Sequence, residues 1–301
     1  MNITIKKFIF ALLLGLIANS NADVIFLDLN GTLLQNNSRK MGWLVGPRNI
    51  IKEGLSFKFR HFLGNFRQHM ANDIFFKGLN AIEYKLSLSC QVDYEMYSDD
   101  GETPLPPLLR DTMLGHFTYA TAKKLCDQML AENPGLFKTE CQKSIFLNTF
   151  EITFNPQVFS STQNTTRLVE TLKKCAAEVD AKGKKKHVCV ILSNWAKDGV
   201  SEFKKRFKDT IMPYIDECIF SCDGFGGKPG MDIYKHCYDV IKTQYPDQLR
   251  KSWFFLDDQK VNCDGFKTFL TNASLKIKPK LLCAHPDQGE FMLKKHGVIS
   301  A

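Results

Sequence analysis

From about residue 160 onward the chain alternates short apolar runs with helical stripes, and this alternation constrains its fold more than any other feature. Val188–Leu192, Cys218–Ser221, Trp253–Leu256 and Leu281–Ala284 are runs of strand length. Between them, Val200–Phe207, Met231–Ile241 and Cys263–Leu270 have helical spacing, with Ile233, Cys237 and Val240 facing inward. A similar short run, Val24–Leu27, stands near the N-terminus. Strands that are apolar throughout and joined by helices belong to a parallel sheet covered on both faces. The expectation is an α/β fold, and such folds collect their chemistry at the carboxyl ends of the strands.

The remaining segments are organised around that sheet. Asn164, Thr165 and Thr166 offer cap oxygens for a helix whose stripe is Leu168, Val169, Leu172, Cys175, Ala176 and Val179. Between Gln35 and Thr162 the pattern is different. Phe59, Phe62, Leu63, Phe66 and Met70 recur at helical spacing, and a loop with Asp99, Asp100, Gly101, Pro104, Pro106 and Pro107 interrupts the region. The N-terminus reads as a secretory signal. Lys6 and Lys7 precede the short apolar stretch Phe8–Ala18, and Ser20 and Ala22 set up a cut after Ala22. That stretch is short for a membrane span. An exported protein, periplasmic or secreted, with no stable span after cleavage is expected. The first core strand then begins almost on the cut.

Composition narrows the classes further. With 301 residues, 44% hydrophobic and 24% charged, the chain can build a large core, which argues against long disorder. The net charge of +8 is spread along the chain apart from Lys184, Lys185 and Lys186, which read as a solvated loop. No nucleic-acid partner is predicted. A basic surface would attract anionic substrates. Export would permit disulfides among the ten cysteines, which show neither a CxxC pair nor zinc spacing. Cys189 reads as a buried thiol. Cys218 and Cys222 flank one strand and are badly placed to pair with each other. The connectivity stays open.

The strand ends carry the chemistry. The first run ends in Asp28-Leu29-Asn30-Gly31-Thr32, the second in Ser193-Asn194, and the third is followed by Gly226-Gly227-Lys228-Pro229. The fourth ends in Asp257-Asp258. A carboxylate, a hydroxyl and amide pair, a lysine and an acidic pair on one rim would suit phosphoryl transfer through an aspartyl intermediate. A divalent cation on oxygen ligands would offset the repulsion between carboxylate and phosphate, and the donors would stabilise the transferring group.

These four segments resemble the motifs of the haloacid-dehalogenase-type (HAD) hydrolase superfamily. The resemblance covers residues 24–34 and roughly 163–290, and includes Ile233-Tyr234 after the lysine and Asn262 after the acidic pair. It implies a HAD-like Rossmannoid parallel sheet with a helical cap of the C1 type inserted after the first strand. The implied division is a signal peptide over 1–22, a core over 23–35 and 160–301, and a cap over 36–159. The resemblance also implies roles. Asp28 would be the nucleophile and a Mg2+ ligand, with the backbone carbonyl of Asn30, Asp257 and Asp258 as further ligands. Ser193 and Asn194 would bind phosphate, and Lys228 would orient Asp28.

One position departs from the pattern. Phosphatases of this kind carry an aspartate two residues after the nucleophile, as general acid and base. Here it is Asn30, which cannot exchange a proton at neutral pH. Three readings follow: a Mg2+-dependent phosphatase of a small phosphorylated substrate, a HAD enzyme of another type such as a dehalogenase, or a non-catalytic scaffold binding a protein partner through its cap. Arg60 and Arg67 read as a solvated face more readily than as an anion clamp, and His285 as a rim loop residue.

Overall fold

The computed structural model describes residues 23–46, 65–87, 90–98, 103–180 and 182–299. The signal-like segment 1–22, Phe59, Arg60, Phe62, Leu63, Asp99, Asp100 and Gly101 lie outside the described residues, as do the side chains of Phe66, Arg67 and Met70.

The centre is a five-stranded sheet. Its strands are β1 (Val24–Leu27), β4 (Val188–Ser193), β5 (Glu217–Phe220), β6 (Ser252–Leu256) and β7 (Lys280–Ala284). They run in the order β5-β4-β1-β6-β7, all parallel. Apolar residues on both sides of each strand require cover on both faces. Val24 and Phe26 of β1 enter one core with the helices Met231–Gln244 and Lys260–Asn272. Ile25 and Leu27 enter the other, with Leu168–Ala177, Lys197–Arg206 and Pro286–Lys295. The expected parallel α/β sheet is therefore the one observed.

The first strand leads into the cap through a short two-stranded ribbon. β2 (Leu34–Asn36) pairs antiparallel with β3 (Gln163–Thr165), setting Leu34 opposite Thr165 and Asn36 opposite Gln163. Between these strands the described elements are helices: α1 (Ser38–Val45), α2 (Asn65–Asn80), α3 (Pro107–Met113), α4 (Tyr119–Glu132), α5 (Glu140–Phe154) and α6 (Pro156–Ser161). Helices α2 to α5 share a separate core that includes Phe75, Leu79, Leu108, Cys126, Phe146 and Phe150, and Val45 of α1 and Val158 of α6 join a smaller cluster with Ile145 and Ile152 of α5. Helix α4 starts at the Thr118 cap, whose side chain accepts from Thr121 N–H. Helix α5 starts in the same way at Thr139.

Several local expectations shift. Asn164 and Thr165 are strand residues, and Thr166 donates its hydroxyl to Thr32 O at 2.6 Å. The following helix therefore begins at Leu168 without a side-chain cap. Pairing with the outgoing chain won over local capping, a tertiary preference invisible in a single segment. Val179 lies past the end of that helix and is exposed. The helix expected from Val200 starts at Lys197, and the third strand spans Glu217–Phe220.

Phe26 is fully buried on the central strand, with its ring 5.2 Å from that of Trp253 and 5.3 Å from that of Phe266. Phe26→Ala should cost about 3–5 kcal/mol of stability, read from urea unfolding. A loss below about 1 kcal/mol would contradict this packing.

Candidate active site

Parallel pairing brings the strand ends to one edge. β1 lies between β4 and β6, in register with Leu27 opposite both Ile191 and Leu256. Asp28 continues the ladder, its N–H donating to Leu256 O at 3.0 Å. Ser193 on one side and Asp257 on the other follow from that register. Lys228 arrives from the loop after β5.

The rim is tightly buried: Lys228 is 1% exposed, Asp257 2% and Asp28 6%. The Lys228 ammonium donates to Asp28 Oδ1 at 2.7 Å and to Asp257 Oδ2 at 2.5 Å. Asp257 Oδ1 accepts from Gln259 N–H and from Asn262 Nδ2, each at 2.9 Å. The Asp28 carboxyl stands raised to about 6, because burial pushes it up, Lys228 pulls it down and Asp257 pushes it up. The Ser193 side chain helps to lower the Asp28 carboxyl. Burial also opposes the charge on Lys228, but Asp257 and Asp28 outweigh that and hold its pKa above the usual lysine range.

The loop after Asp28 is shaped for close approach. Gly31 has φ +77, and a side chain there would collide with the Asp258 carboxylate. Asn30 is half-buried, and its backbone bridges to Leu34.

Asp28, Asp257 and Asp258 bring one carboxylate oxygen each to within 4.8 Å of one another, the one such acidic or thiol-histidine group among the described residues. Three carboxylates face one ammonium, so the rim carries excess negative charge that a divalent cation would offset. The donors are hard oxygens, which suits Mg2+. Lys228 engages one Asp257 oxygen, and Gln259 and Asn262 engage the other.

Asn194 braces the lysine loop. Its Oδ1 accepts from Lys228 N–H at 2.7 Å and its Nδ2 donates to Lys228 O at 2.8 Å. These bonds use the amide oxygen and one of its two amide hydrogens on the lysine backbone. His285 caps the helix Pro286–Lys295, accepting from Asp287 N–H. Lys185 and Lys186 pair at the surface with Asp216 and Glu178. Cys189 is fully buried, and its thiol is pushed well above the usual range. Gln259 and Tyr94 are contributors that sequence reading missed. Gln259 follows the acidic pair, and Tyr94 reaches Gly227 from more than a hundred residues away. The crowding of glycines around Lys228 is the one sequence sign that another group packs there.

No protein-family model matches the sequence, and no curated protein matches it. Among solved structures, a HAD-family enzyme, BT-2542 from Bacteroides thetaiotaomicron in complex with magnesium and inorganic phosphate, is 15% identical. Its TM-score is 0.43, over 87% of this chain and 93% of that one. YfnB from Bacillus subtilis, bound to magnesium, is 10% identical with a TM-score of 0.45, over 92% and 98%. The L-2-haloacid dehalogenase of Xanthobacter autotrophicus is 11% identical with a TM-score of 0.39 or less, over 83% and 74%. Such distant likenesses do not say what this chain does. The fold itself is a parallel sheet in the order β5-β4-β1-β6-β7 with helices inserted after its first, central strand.

Among the described residues, Lys228 is the one cation hydrogen-bonded to both Asp28 and Asp257. Replacing it by Met should destabilise the protein by about 3–5 kcal/mol in EDTA, because two buried carboxylates are left without it. Chemical denaturation would read this, and a cost under about 1 kcal/mol would show that the carboxylates do not depend on Lys228.

Proposed function

We propose that this chain is a HAD-type hydrolase that removes phosphate from a small phosphorylated substrate through a covalent phosphate on Asp28. The observation that carries the reading is the buried Asp28 carboxylate, oriented by Lys228 Nζ and flanked by Asp258. Asp28, Asp257, Asp258 and the Asn30 carbonyl would hold Mg2+, directly or through water. The cation would supply charge neutralisation for a dianionic ester.

The protein's own residues account for the first half of the reaction. An Asp28 oxygen attacks phosphorus, and the bond from phosphorus to the leaving oxygen breaks. Lys228 holds the carboxylate in place and offsets charge on the transferring group, and the Ser193 hydroxyl can turn to a phosphate oxygen. The leaving oxygen departs as an alkoxide or aryloxide and must take a proton from water or from the substrate. In the second half, water attacks the phosphorus of the Asp28 phosphate, the bond to Asp28 breaks, and a water proton goes to solvent.

Asn30 assists neither proton transfer. Loss of general acid–base help typically costs about a hundred- to ten-thousand-fold in rate, so esters with acidic leaving groups should be the better substrates. Asn30 also favours a second reading, cleavage of a carbon–halogen bond, because a halide departs without a proton. Export from the cell belongs to the same proposal, supported by the N-terminal sequence.

A broad panel of phosphate esters, assayed with Mg2+ on wild type, Asp28→Ala and Asn30→Asp, tests the proposal. Activated aryl phosphates should release phosphate with wild type and none with Asp28→Ala. Asn30→Asp should raise the rate by about tenfold or more if Asn30 removes acid–base help. Silence in wild type and Asn30→Asp alike would refute the phosphatase reading. Halide release from a 2-haloacid in its place would establish the alternative.

A further inference from the structure

The segment between helices α2 and α3 crosses the loops that supply the charged rim and touches two of them. Tyr94 Oη accepts the Gly227 N–H at 2.5 Å, immediately before Lys228. Four residues later the chain lies on the acidic loop, where Gln259 Nε2 donates to Ser98 O at 3.0 Å and to Tyr97 O at 3.3 Å. Gln259 uses its own N–H to hold Asp257. One strip of cap therefore fastens both the lysine loop and the acidic loop.

The glycines around Lys228 fit this contact. A Cβ at Gly230 would lie 2.5 Å from Tyr94 Cε1 and 2.7 Å from its Cζ, and one at Gly226 would lie 3.0 Å from the Tyr94 hydroxyl. The loop is bare where the tyrosine ring lies against it. At Gly227 a Cβ would come 2.9 Å from Asn194 Oδ1, so the amide that grips Lys228 needs the same lack of side chains. The lysine backbone is thus held by Asn194 from the core and, one residue earlier, by Tyr94 from the cap.

We propose that Tyr94 is a positioning residue: its hydroxyl, supplied by the cap, fixes Gly227 and thereby aims the Lys228 ammonium between Asp28 and Asp257. The site is then fully assembled only while the Tyr94–Ser98 segment is docked, which couples cap position to the core machinery. The catalytic consequence rests on the phosphatase reading; the aim of Lys228 does not.

Tyr94→Phe keeps the ring on Gly230 and removes only the hydroxyl. In the full chain, Lys228 acylation by acetic anhydride, followed by mass spectrometry, reads the lysine without needing activity. Lys228 should label at least fivefold faster in the variant, while the other lysines label as in wild type. With an aryl phosphate and Mg2+, kcat should fall by about tenfold, the loss of one hydrogen bond to a buried donor, with KM little changed. Equal Lys228 labelling in the two proteins would overturn the proposal, as would a rise in KM with unchanged kcat. If wild type turns over no phosphate ester, the phosphatase reading fails. The labelling comparison then decides Tyr94 alone: selective acceleration upholds it and equal rates overturn it.

Discussion

The Lys228 ammonium, buried between Asp28 and Asp257, is the interaction on which the rest of the site depends. Removing three charged groups from water costs several kcal/mol per ion, and their attraction offsets this only when geometry and remaining hydrogen bonds are satisfied. Here they are satisfied in detail. Asp257 has both oxygens engaged, and the lysine backbone is bonded at N–H and C=O by Asn194. The parallel register of β4, β1 and β6 puts the strand-borne partners within reach, and the glycine-rich loop lets Lys228 approach between them.

The cluster also separates what the site can do from what it lacks. A carboxylate held by a lysine is prepared for attack. Nothing in the Asp28-Leu29-Asn30 segment can shuttle a proton, because Asn30 is an amide. The chemistry proposed for Asp28 therefore has an asymmetric cost: formation of a covalent intermediate suffers least with good leaving groups, while its hydrolysis gets no base from position 30 with any substrate. Docking of the cap over the rim adds a second control, since the cap and the core loops share the same hydrogen bonds.

Much of the core was legible in the sequence because it rests on short-range pattern. Val24–Leu27 and Trp253–Leu256 are continuous apolar runs, and only a sheet covered on both faces accommodates them. The charged residues that follow them then share one edge as a matter of topology. What was not legible depends on distant pairing. Asn164 and Thr165 have good capping chemistry, yet they pair with β2 across more than a hundred residues. Asn194 was assigned to phosphate because the family resemblance allows it, while its engagement with Lys228 depends on where the lysine loop returns. Tyr94 carries no local signal, and its contact with Gly227 exists only once the cap has folded onto the core.

The central claim is that Asp28 takes the phosphate covalently, and trapping that adduct tests it most directly. The protein would be incubated with Mg2+ and an activated aryl phosphate, quenched in acid and digested. Mass spectrometry would then be run on the peptide containing Asp28. The account predicts a hydroxylamine-sensitive phosphate on that peptide, absent from Asp28→Ala and shorter-lived in Asn30→Asp. Phosphate release with no adduct on Asp28 at any quench time, and undiminished release by Asp28→Ala, would contradict it.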